Sequence, residues 1–464
     1  MRTRLRLATI VLAFVSVAFA QAQLAPEVRA KIDDAAKQVL ASTGVPSASI
    51  AVVKDGQMVY AQAYGDARVE PKLEARTDMR YGVGSISKQF TASAILLLQQ
   101  QGKLKLDDPV GKFVPNLTRA NEVTIREILS HTSGYQDYWP QDYVMPFIAK
   151  PTTIDHILDR WARIPLDFEP GTKWQYSNTN YTIAGVIVEK ASGEPILTFL
   201  TEHIFKPLGM HSVIDIDETH PVDTDAVGYL RYALGPPRIA PLEGKGWMFA
   251  AGELYMAPSD LAKWNISMMN QSVLKPESYK EMETDTLLKN GVATGYGLGV
   301  EVSRFQGHRL IEHSGEVSGF VAENMVFPDD KAAITVLTNQ DASSAASQIA
   351  ERIAPLLFPA QVANQEANTN RARKAFEGFQ QRKIDRSQFT EDANFYFTDQ
   401  ALKDYSDSLG ALGPVQDFMP TSTSQRGGMT HRSYRVRAGG KTLVVSIFEM
   451  PDGKYEQYLV RPQQ

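Results

Sequence analysis

Residues 81–90 read YGVGSISKQF, and a run of helix-forming residues follows them as far as Gln101, just before Gly102. This pattern predicts a helix that begins near Ser85 and stops at the glycine. Because residues three apart share one face of a helix, Lys88 should lie one turn from Ser85. A serine hydroxyl is a weak nucleophile until a neighbouring base takes its proton, and a partly desolvated lysine can do so. The stretch therefore predicts a serine nucleophile with a lysine beside it.

The spacing Ser-x-x-Lys is weak evidence by itself, because the chain contains it twice. The second occurrence, SVLK at residues 272–275, precedes Pro276. A residue before proline avoids the helical conformation, so Lys275 is not expected to stack on Ser272. Taken alone, Ser85 would also fit a capping serine at the start of an ordinary helix. Other motifs are needed to distinguish these possibilities.

Two further motifs favour the first pair. The sequence Tyr-Ser-Asn at residues 176–178 is the only Tyr-x-Asn in the chain, and it precedes a predicted helix at about 181–191. The sequence His-Ser-Gly at 313–315 is the only His-x-Gly, and it lies on a predicted strand. Singly, each would fit an ordinary core tyrosine or surface histidine. Their order after Ser85 and Lys88 predicts one catalytic site.

Together these motifs resemble those of the serine β-lactamase and DD-peptidase superfamily, in the branch of class C β-lactamases, family VIII esterases and D-aminopeptidases. Similar stretches are SHTSG at 130–134, AAG at 250–252 and YGLG at 296–299. The resemblance covers about residues 25–358. It implies an α+β serine β-lactamase/transpeptidase-like fold, in which an antiparallel sheet is flanked by helices and joined to a mostly helical insert.

The resemblance also implies a role for each motif residue. Ser85 would form an acyl-enzyme, and Lys88 and Tyr176 would share the transfer of its proton. The backbone N–H groups of Ser85 and Glu316 would form the oxyanion hole. No metal and no cofactor are implied. The implied substrate-binding residues are Asn178, His313, Ser314, Gly315 and Glu316.

The third motif departs from the Lys-Thr-Gly of β-lactamases. Histidine is largely neutral at pH 7, so His313 should attract a β-lactam carboxylate less than a lysine does. A Glu316 side chain directed into the site would repel an anion, whereas one directed into solvent would not. We therefore expect the substrate to be an ester, or a D-amino-acid amide or peptide, including peptides derived from peptidoglycan. A β-lactamase, a DD-carboxypeptidase or penicillin-binding protein, and a non-catalytic binding or sensor protein are the alternatives.

The composition is typical of a soluble protein with a large core, since 43% of the 464 residues are hydrophobic and 22% are charged. A formal net charge of −5 gives no general attraction to nucleic acid, so we expect small-molecule or short-peptide partners. The absence of cysteine excludes disulfides, thiol catalysis and a lipoprotein anchor. The chain also lacks the Gly-x-Ser-x-Gly of α/β-hydrolases and the paired histidines of zinc hydrolases.

The first residues have the pattern of a signal peptide. Arginines at positions 2, 4 and 6 precede the apolar run 7–20, and AFA at 18–20 fits a cleavage site, with AQA at 20–22 as its competitor. The run is short for a membrane-spanning helix, although an uncleaved anchor is the alternative. We expect residues 1–22 to be removed, which leaves no stable membrane anchor and a periplasmic or secreted protein.

The remaining chain divides into three parts. Residues 23–358 are predicted to form the hydrolase domain, with strands near 47–64 and 296–338. Residues 359–370 are polar without an apolar period and predict a linker. Residues 371–464 predict a small C-terminal α+β accessory domain, similar to NTF2-like domains, with two helices followed by three strands.

Overall fold

The computed structural model describes residues 24–140 and 146–463, so the predicted signal peptide lies outside the described residues. The chain divides into two compact units, one ending at Leu357 and the other beginning at Phe358. No helix within the described ranges is long and apolar enough to cross a bilayer.

The first unit combines a seven-stranded antiparallel sheet with helices on both of its faces and a largely helical insert. Its helices are α1 (Pro26–Thr43), α2 (Ser87–Gln100), α3 (Ile125–Leu129), α4 (Ile154–Ile157), α5 (Asn178–Ser192), α6 (Ile196–Leu200), α7 (Lys206–Leu208), α8 (Pro258–Asn270), α9 (Pro276–Met282) and α10 (Ala345–Leu357). Its strands are β1 (Ser47–Lys54), β2 (Gln57–Arg68), β3 (Leu73–Glu74), β4 (Tyr81–Gly82), β5 (Ile214–Asp215), β6 (Tyr229–Leu230), β7 (Arg238–Ile239), β8 (Leu254–Met256), β9 (Glu301–Phe305), β10 (His308–Val317), β11 (Phe320–Phe327) and β12 (Ala332–Thr338).

The large sheet joins segments that are far apart in the sequence. Its order is β3-β2-β1-β12-β11-β10-β9, so the N-terminal hairpin pairs directly with the last strand of the unit, with Ser49 opposite Leu337. The predicted antiparallel sheet built from both ends of this region is therefore confirmed. Strands β1 and β12 are buried along nearly their whole length, because helices cover both faces.

Helices α8 and α10 lie on opposite faces of this sheet. The Asn324 side chain on β11 exchanges hydrogen bonds of 2.7 and 2.9 Å with Asn265 of α8. The adjacent residue, Glu323, lines a groove together with Glu351 of α10. Successive strand residues point to opposite faces, so the two helices enclose the sheet between them.

Helix α2 runs through the interior of the first unit. Every side chain from Ser87 to Leu96 is buried, so the helix carries small and apolar residues all around its circumference. A single 3-10 turn at Gly84–Ile86 precedes it, and its C-terminal end is followed by Gly102 with a φ of +74°. The predicted helix is confirmed, and it places Ser85 at the edge of the core.

One strand of the first unit is shorter than predicted. The sequence predicts a strand from residue 296 onward, but β9 begins only at Glu301. Gly299 interrupts the extended backbone with a φ of +74°, a conformation that favours glycine. A Cβ there would lie 2.8 Å from the carbonyl oxygen of Lys88, so the turn packs against α2.

The second unit has its own sheet and core. Its elements are α11 (Pro359–Gln380), α12 (Glu391–Tyr396), α13 (Asp399–Gly410), β13 (Val415–Arg426), β14 (Met429–Ala438), β15 (Lys441–Glu449) and β16 (Tyr455–Pro462). The four strands form an antiparallel sheet in sequence order. Its buried cluster includes Phe376, Phe379, Val445 and Tyr458.

Two sequence predictions for this unit are wrong. Residues 359–370 are not an irregular linker, because α11 is one helix from Pro359 to Gln380. From residue 364 onward, where burial is described, its first buried residue is Ala372, and the sequence of its N-terminal half has no apolar period. Proline at the first position favours the helix. Strand β13 was missed because it contains Pro420, which is tolerated on this edge strand.

Candidate active site

Ser85 lies in the 3-10 turn between β4 and α2, and Lys88 lies in the first turn of α2. The Lys88 side chain is fully buried, and its Nζ is 2.9 Å from Ser85 Oγ. The second Ser-x-x-Lys differs, because Lys275 has an extended backbone (φ −69°, ψ 153°) before α9. Helical geometry therefore brings serine and lysine together in the first pair.

The Lys88 amine is held by oxygen atoms from two other segments. It donates to Asn178 Oδ1 at 2.8 Å and to the Ala251 carbonyl oxygen at 2.6 Å. Both oxygens can only accept, so each fixes one N–H of the amine. In neutral lysine the lone pair is then directed at Ser85 Oγ. Burial lowers the pKa of Lys88 to about 7, against the opposing charges of Asp137 and Glu253, so the neutral amine is accessible near neutral pH.

Tyr176 reaches the same serine from the loop before α5. Its phenol is hydrogen-bonded to Ser85, and Lys88 Nζ lies 5.0 Å from the centre of its ring. Removal from water raises the pKa of Tyr176 well above its ordinary value, so the phenolate is disfavoured at neutral pH. This environment suits neutral Lys88 as the proton acceptor and Tyr176 as a hydroxyl that relays protons.

His131 supports the Tyr-x-Asn loop. Its ring packs against Tyr176 with ring centres 4.2 Å apart, and its Nδ1 accepts the backbone N–H of Ser177 at 3.2 Å. Because Nδ1 accepts, the ring proton is on Nε2. Burial and the charge of Lys88 lower the pKa of His131, so the ring is neutral. The SHTSG stretch contains this residue, but its sequence pattern assigns it no role.

His313 is buried on β10 and brings no positive charge to the site. Its Nδ1–H donates to the Ser314 carbonyl oxygen, and its Nε2 accepts from the Tyr296 hydroxyl at 2.8 Å. Burial lowers the pKa of His313 to about 4. A lysine at this position would carry a charge that this histidine lacks.

The backbone of β10 comes very close to the Ser85 turn at Gly315. A Cβ on Gly315 would lie 1.9 Å from the carbonyl oxygen of Val83 and 3.1 Å from Ser85 N. A Cβ on Gly84 would lie 2.6 Å from Glu316 N. The two glycines thus bring the backbone N–H groups of Ser85 and Glu316 near each other, as an oxyanion hole requires.

The predicted residues meet at one pocket of about 500 Å³. Those that line it are Ser85, Tyr176, Asn178, His313, Ser314 and Glu316. Lys88 and Gly315 lie directly behind this lining, in contact with the Ser85 turn. Apolar and aromatic side chains complete the wall, namely Tyr138, Trp139, Ile148, Trp174, Met248 and Val317.

Four carboxylates line this pocket, and they belong to Asp137, Glu301, Glu316 and Asp341. The described lining contains no lysine or arginine. The Glu316 side chain is exposed and accepts the backbone N–H of Ala342 at 2.8 Å. Glu316 thus lines the pocket with an exposed side chain that is held by the segment after β12. Asp341 accepts the backbone N–H of Gly319 at 3.0 Å.

Sequence reasoning missed Asp137, Glu301 and Asp341. Asp137 follows the SHTSG stretch by only three residues, but a single acidic residue in a loop has no spacing that could indicate a site. Only the fold brings it beside Asn178, whose backbone N–H it accepts at 2.9 Å. Among the described residues, no group of three or more histidines and carboxylates is placed to hold a metal ion.

Comparison with known proteins identifies the family. The family described as Beta-lactamase matches residues 32–357, most of the chain. This chain belongs to the beta-lactamase family. The predicted relationship to serine β-lactamase-related hydrolases is confirmed, and structural neighbours confirm the serine β-lactamase/transpeptidase-like fold of this family member.

Three relatives illustrate the range of the similarity. Protein flp of Staphylococcus aureus (strain MW2) is 28% identical over 321 residues, which are 67% of this chain and 62% of flp, so this chain spans less than two thirds of that relative. D-amino acid amidase from Ochrobactrum anthropi SV3 is 26% identical, with 73% of this chain and 99% of the amidase covered and a TM-score of 0.63. The octameric penicillin-binding protein homologue from Pyrococcus abyssi is 23% identical, with 93% of this chain and 100% of the homologue covered. Its TM-score of 0.62 shows a likeness of fold.

Proposed function

We propose that this protein is an exported serine hydrolase that forms an acyl-enzyme at Ser85 and cleaves an ester, or a D-amino-acid amide or peptide. The observation that carries the proposal is that Ser85 opens into a pocket with four carboxylates and no lysine or arginine in its described lining. Such a pocket favours a substrate with a free ammonium group and disfavours one with a carboxylate near the scissile bond. D-amino-acid amides have the former, whereas penicillins and peptides ending in D-Ala-D-Ala have the latter.

The apolar part of the pocket supports the same class of substrate. Trp139, Ile148, Trp174 and Met248 offer a surface for an apolar side chain on the acyl group. A structural relative is named D-amino acid amidase, which is consistent with an amino-acid amide as substrate.

Acylation begins with the transfer of the Ser85 hydroxyl proton to neutral Lys88. As Oγ bonds to the substrate carbonyl carbon, the carbonyl π electrons move onto oxygen, and the N–H groups of Ser85 and Glu316 stabilise that charge. Asn178 and the Ala251 carbonyl keep the Lys88 amine in place during this step. Because these hydrogen bonds hold the Lys88 amine before the substrate reacts, the base is already oriented toward Ser85.

The leaving group then departs and water completes the cycle. As the C–N or C–O bond breaks, its electrons stay on the leaving atom, which receives the proton of Lys88 through the Tyr176 hydroxyl. A water molecule attacks the acyl carbon and passes a proton back to Lys88 along the same route. The Ser85–acyl bond breaks, Ser85 regains its proton, and the free acid is released.

A substrate panel tests this proposal. Purified protein lacking residues 1–22 would be given D-phenylalanine p-nitroanilide, its L-enantiomer, p-nitrophenyl hexanoate, nitrocefin and a peptide ending in D-Ala-D-Ala. We expect kcat/KM to be highest for the D-aminoacyl anilide or the ester. A much faster reaction with nitrocefin, or stable acylation by penicillin with slow turnover, would show a β-lactamase or a penicillin-binding protein instead. No reaction and no labelling by a fluorophosphonate would point to a binding or sensor protein.

Export is a separate part of the proposal. The arginines and apolar run within residues 1–22 support it. The full chain expressed in a Gram-negative host should be recovered from the periplasm with an N terminus just after Ala20 or Ala22. Recovery of the uncleaved chain from the cytoplasm would contradict it.

A further inference from the structure

Asp137 is joined to the nucleophile by a short chain of hydrogen bonds. Its carboxylate accepts from Asn178 Nδ2 at 3.3 Å, the Asn178 Oδ1 accepts from Lys88 at 2.8 Å, and Lys88 reaches Ser85 at 2.9 Å. The amide of Asn178 is therefore oriented with its N–H groups toward Asp137. A hydrogen-bond donor on the substrate that approaches this side of the pocket meets the carboxylate of Asp137.

One oxygen of Asp137 has acceptor capacity to spare. Oδ1 accepts the backbone N–H groups of Asn178 at 2.9 Å and Trp139 at 3.3 Å. Among the described residues, Oδ2 has a hydrogen bond only from Asn178 Nδ2, at the long distance of 3.4 Å. A carboxylate oxygen can accept two hydrogen bonds, so Oδ2 can accept a further donor from the pocket.

The charge of Asp137 also lacks an ion-pair partner among the described residues. None of the ion pairs between described residues includes it, and the cation that acts on it, Lys88, has an accessible neutral form. Glu316 and Asp341 also accept backbone N–H groups of neighbouring segments, but of the four pocket carboxylates only Asp137 has a described hydrogen bond to Asn178, the residue that holds Lys88. A substrate cation beside Asp137 would compensate a partly desolvated charge.

An amino-acid amide has its amine close to the reacting carbon. Its amine nitrogen is bonded to the carbon next to the carbonyl, which places it about 2.5 Å from the carbon that Ser85 attacks. We infer that Asp137 binds the α-ammonium group of the substrate and selects acyl groups with a free amine. This inference rests on the proposed function, because it names the residue that recognises that substrate class.

Boronic acids that form an adduct with the serine separate binding from turnover. The pair is the boronic acid analogue of D-phenylalanine and 2-phenylethylboronic acid, which lacks the amine. Wild-type protein should bind the amine compound about 10- to 100-fold more tightly, as expected for a charge-assisted hydrogen bond. The conservative change Asp137→Asn keeps an acceptor for the N–H groups of α5 and should abolish this preference. Asp341→Asn removes a different pocket charge and should lower the preference less than Asp137→Asn does.

The outcomes distinguish the inference from the function on which it rests. If Asp137→Asn weakens both boronic acids equally, or keeps the preference, Asp137 only supports α5 and the inference is overturned. Equal binding of both compounds to the wild type overturns it as well. If the amine compound is preferred but D-aminoacyl amides are not cleaved, the proposed function fails while the ammonium site stands.

The pH dependence gives a second measurement. Burial raises the pKa of Asp137 to about 6, while Lys88 and the N–H donors of Asn178 and Trp139 oppose the rise. The other titratable groups near it are the phenols of Tyr138 and Tyr176. The preference for the amine compound should therefore fall as pH drops through about 6, because the protonated carboxyl loses its charge. In Asp137→Asn the ratio of the two inhibition constants should not change over this range.

Discussion

Ser85 becomes a candidate nucleophile through residues from separate segments. Lys88 comes from the same helix, but its orientation depends on Asn178 from α5 and on the Ala251 carbonyl before β8. Tyr176 adds a hydroxyl from a fourth position in the chain. Since each group alone is common in proteins, the proposed reactivity depends on their convergence around Ser85 Oγ and Lys88 Nζ.

The two Ser-x-x-Lys pairs allow a matched comparison at the residue scale. Ser85→Ala should lower kcat/KM for p-nitrophenyl hexanoate at least about 1000-fold, because no other oxygen can form the acyl-enzyme. Ser272→Ala should have little effect, since Lys275 is extended and belongs to another segment. Fluorophosphonate labelling should be lost only in the first variant. Persistent labelling of Ser85→Ala would disprove the assignment.

Lys88 makes a specific prediction about pH. Protonated Lys88 has no lone pair, so kcat/KM for a neutral ester should rise with pH and level off above an apparent pKa of about 7. Tyr176→Phe should lower kcat without changing the apparent pKa of this rise. A rise that continued to about pH 10, the ordinary pKa of tyrosine, would instead identify the Tyr176 phenolate as the base.

At the scale of elements, the contact between β10 and the Ser85 turn sets the distance between the two N–H groups of the proposed oxyanion hole. In Gly315→Ala the new methyl group would collide with the Val83 carbonyl oxygen, so the strand and the turn must separate. We expect a loss of kcat of about 100-fold or more, the order that loss of one oxyanion donor causes. Gly235→Ala, in a loop where the nearest atom would be 3.1 Å away, is the control. Near-normal kcat in Gly315→Ala, with an unchanged melting temperature, would contradict this explanation.

At the scale of the whole molecule, the two units have separate hydrophobic cores. The buried apolar residues of the first unit continue to Leu357 on α10, and the buried cluster described in the second unit begins with Ala372 on α11. We propose that the second unit is an accessory domain. A chain ending after Leu357 should fold and keep activity on a neutral ester within about threefold, as expected for independent domains. Residues 358–464 alone should unfold in one cooperative transition. Aggregation of both fragments would show that neither core is sufficient.

The sequence predicted the parts of the fold that depend on local patterns. Strands β10, β11 and β12 lie within the region near 296–338 that was predicted to form strands, since alternation and turns are local signals. The N-terminal half of α11 was missed because its sequence has no apolar period, which is the signal that indicates a helix packed on a core. Strand β13 was missed for a related reason, since an edge strand can contain proline and polar residues.

The sequence by itself predicted the candidate nucleophile and its lysine, the Tyr-x-Asn and His-x-Gly motifs and the family fold, because these depend on residue types at short, fixed spacings. The tertiary structure decided which way the Asn178 amide faces, that Lys88 is desolvated, and that four carboxylates surround the pocket. These properties depend on distances between residues far apart in the chain, such as Asp137 and Asp341. Electrostatic energies depend on distance and burial, so only the folded chain fixes the charge of the substrate it favours.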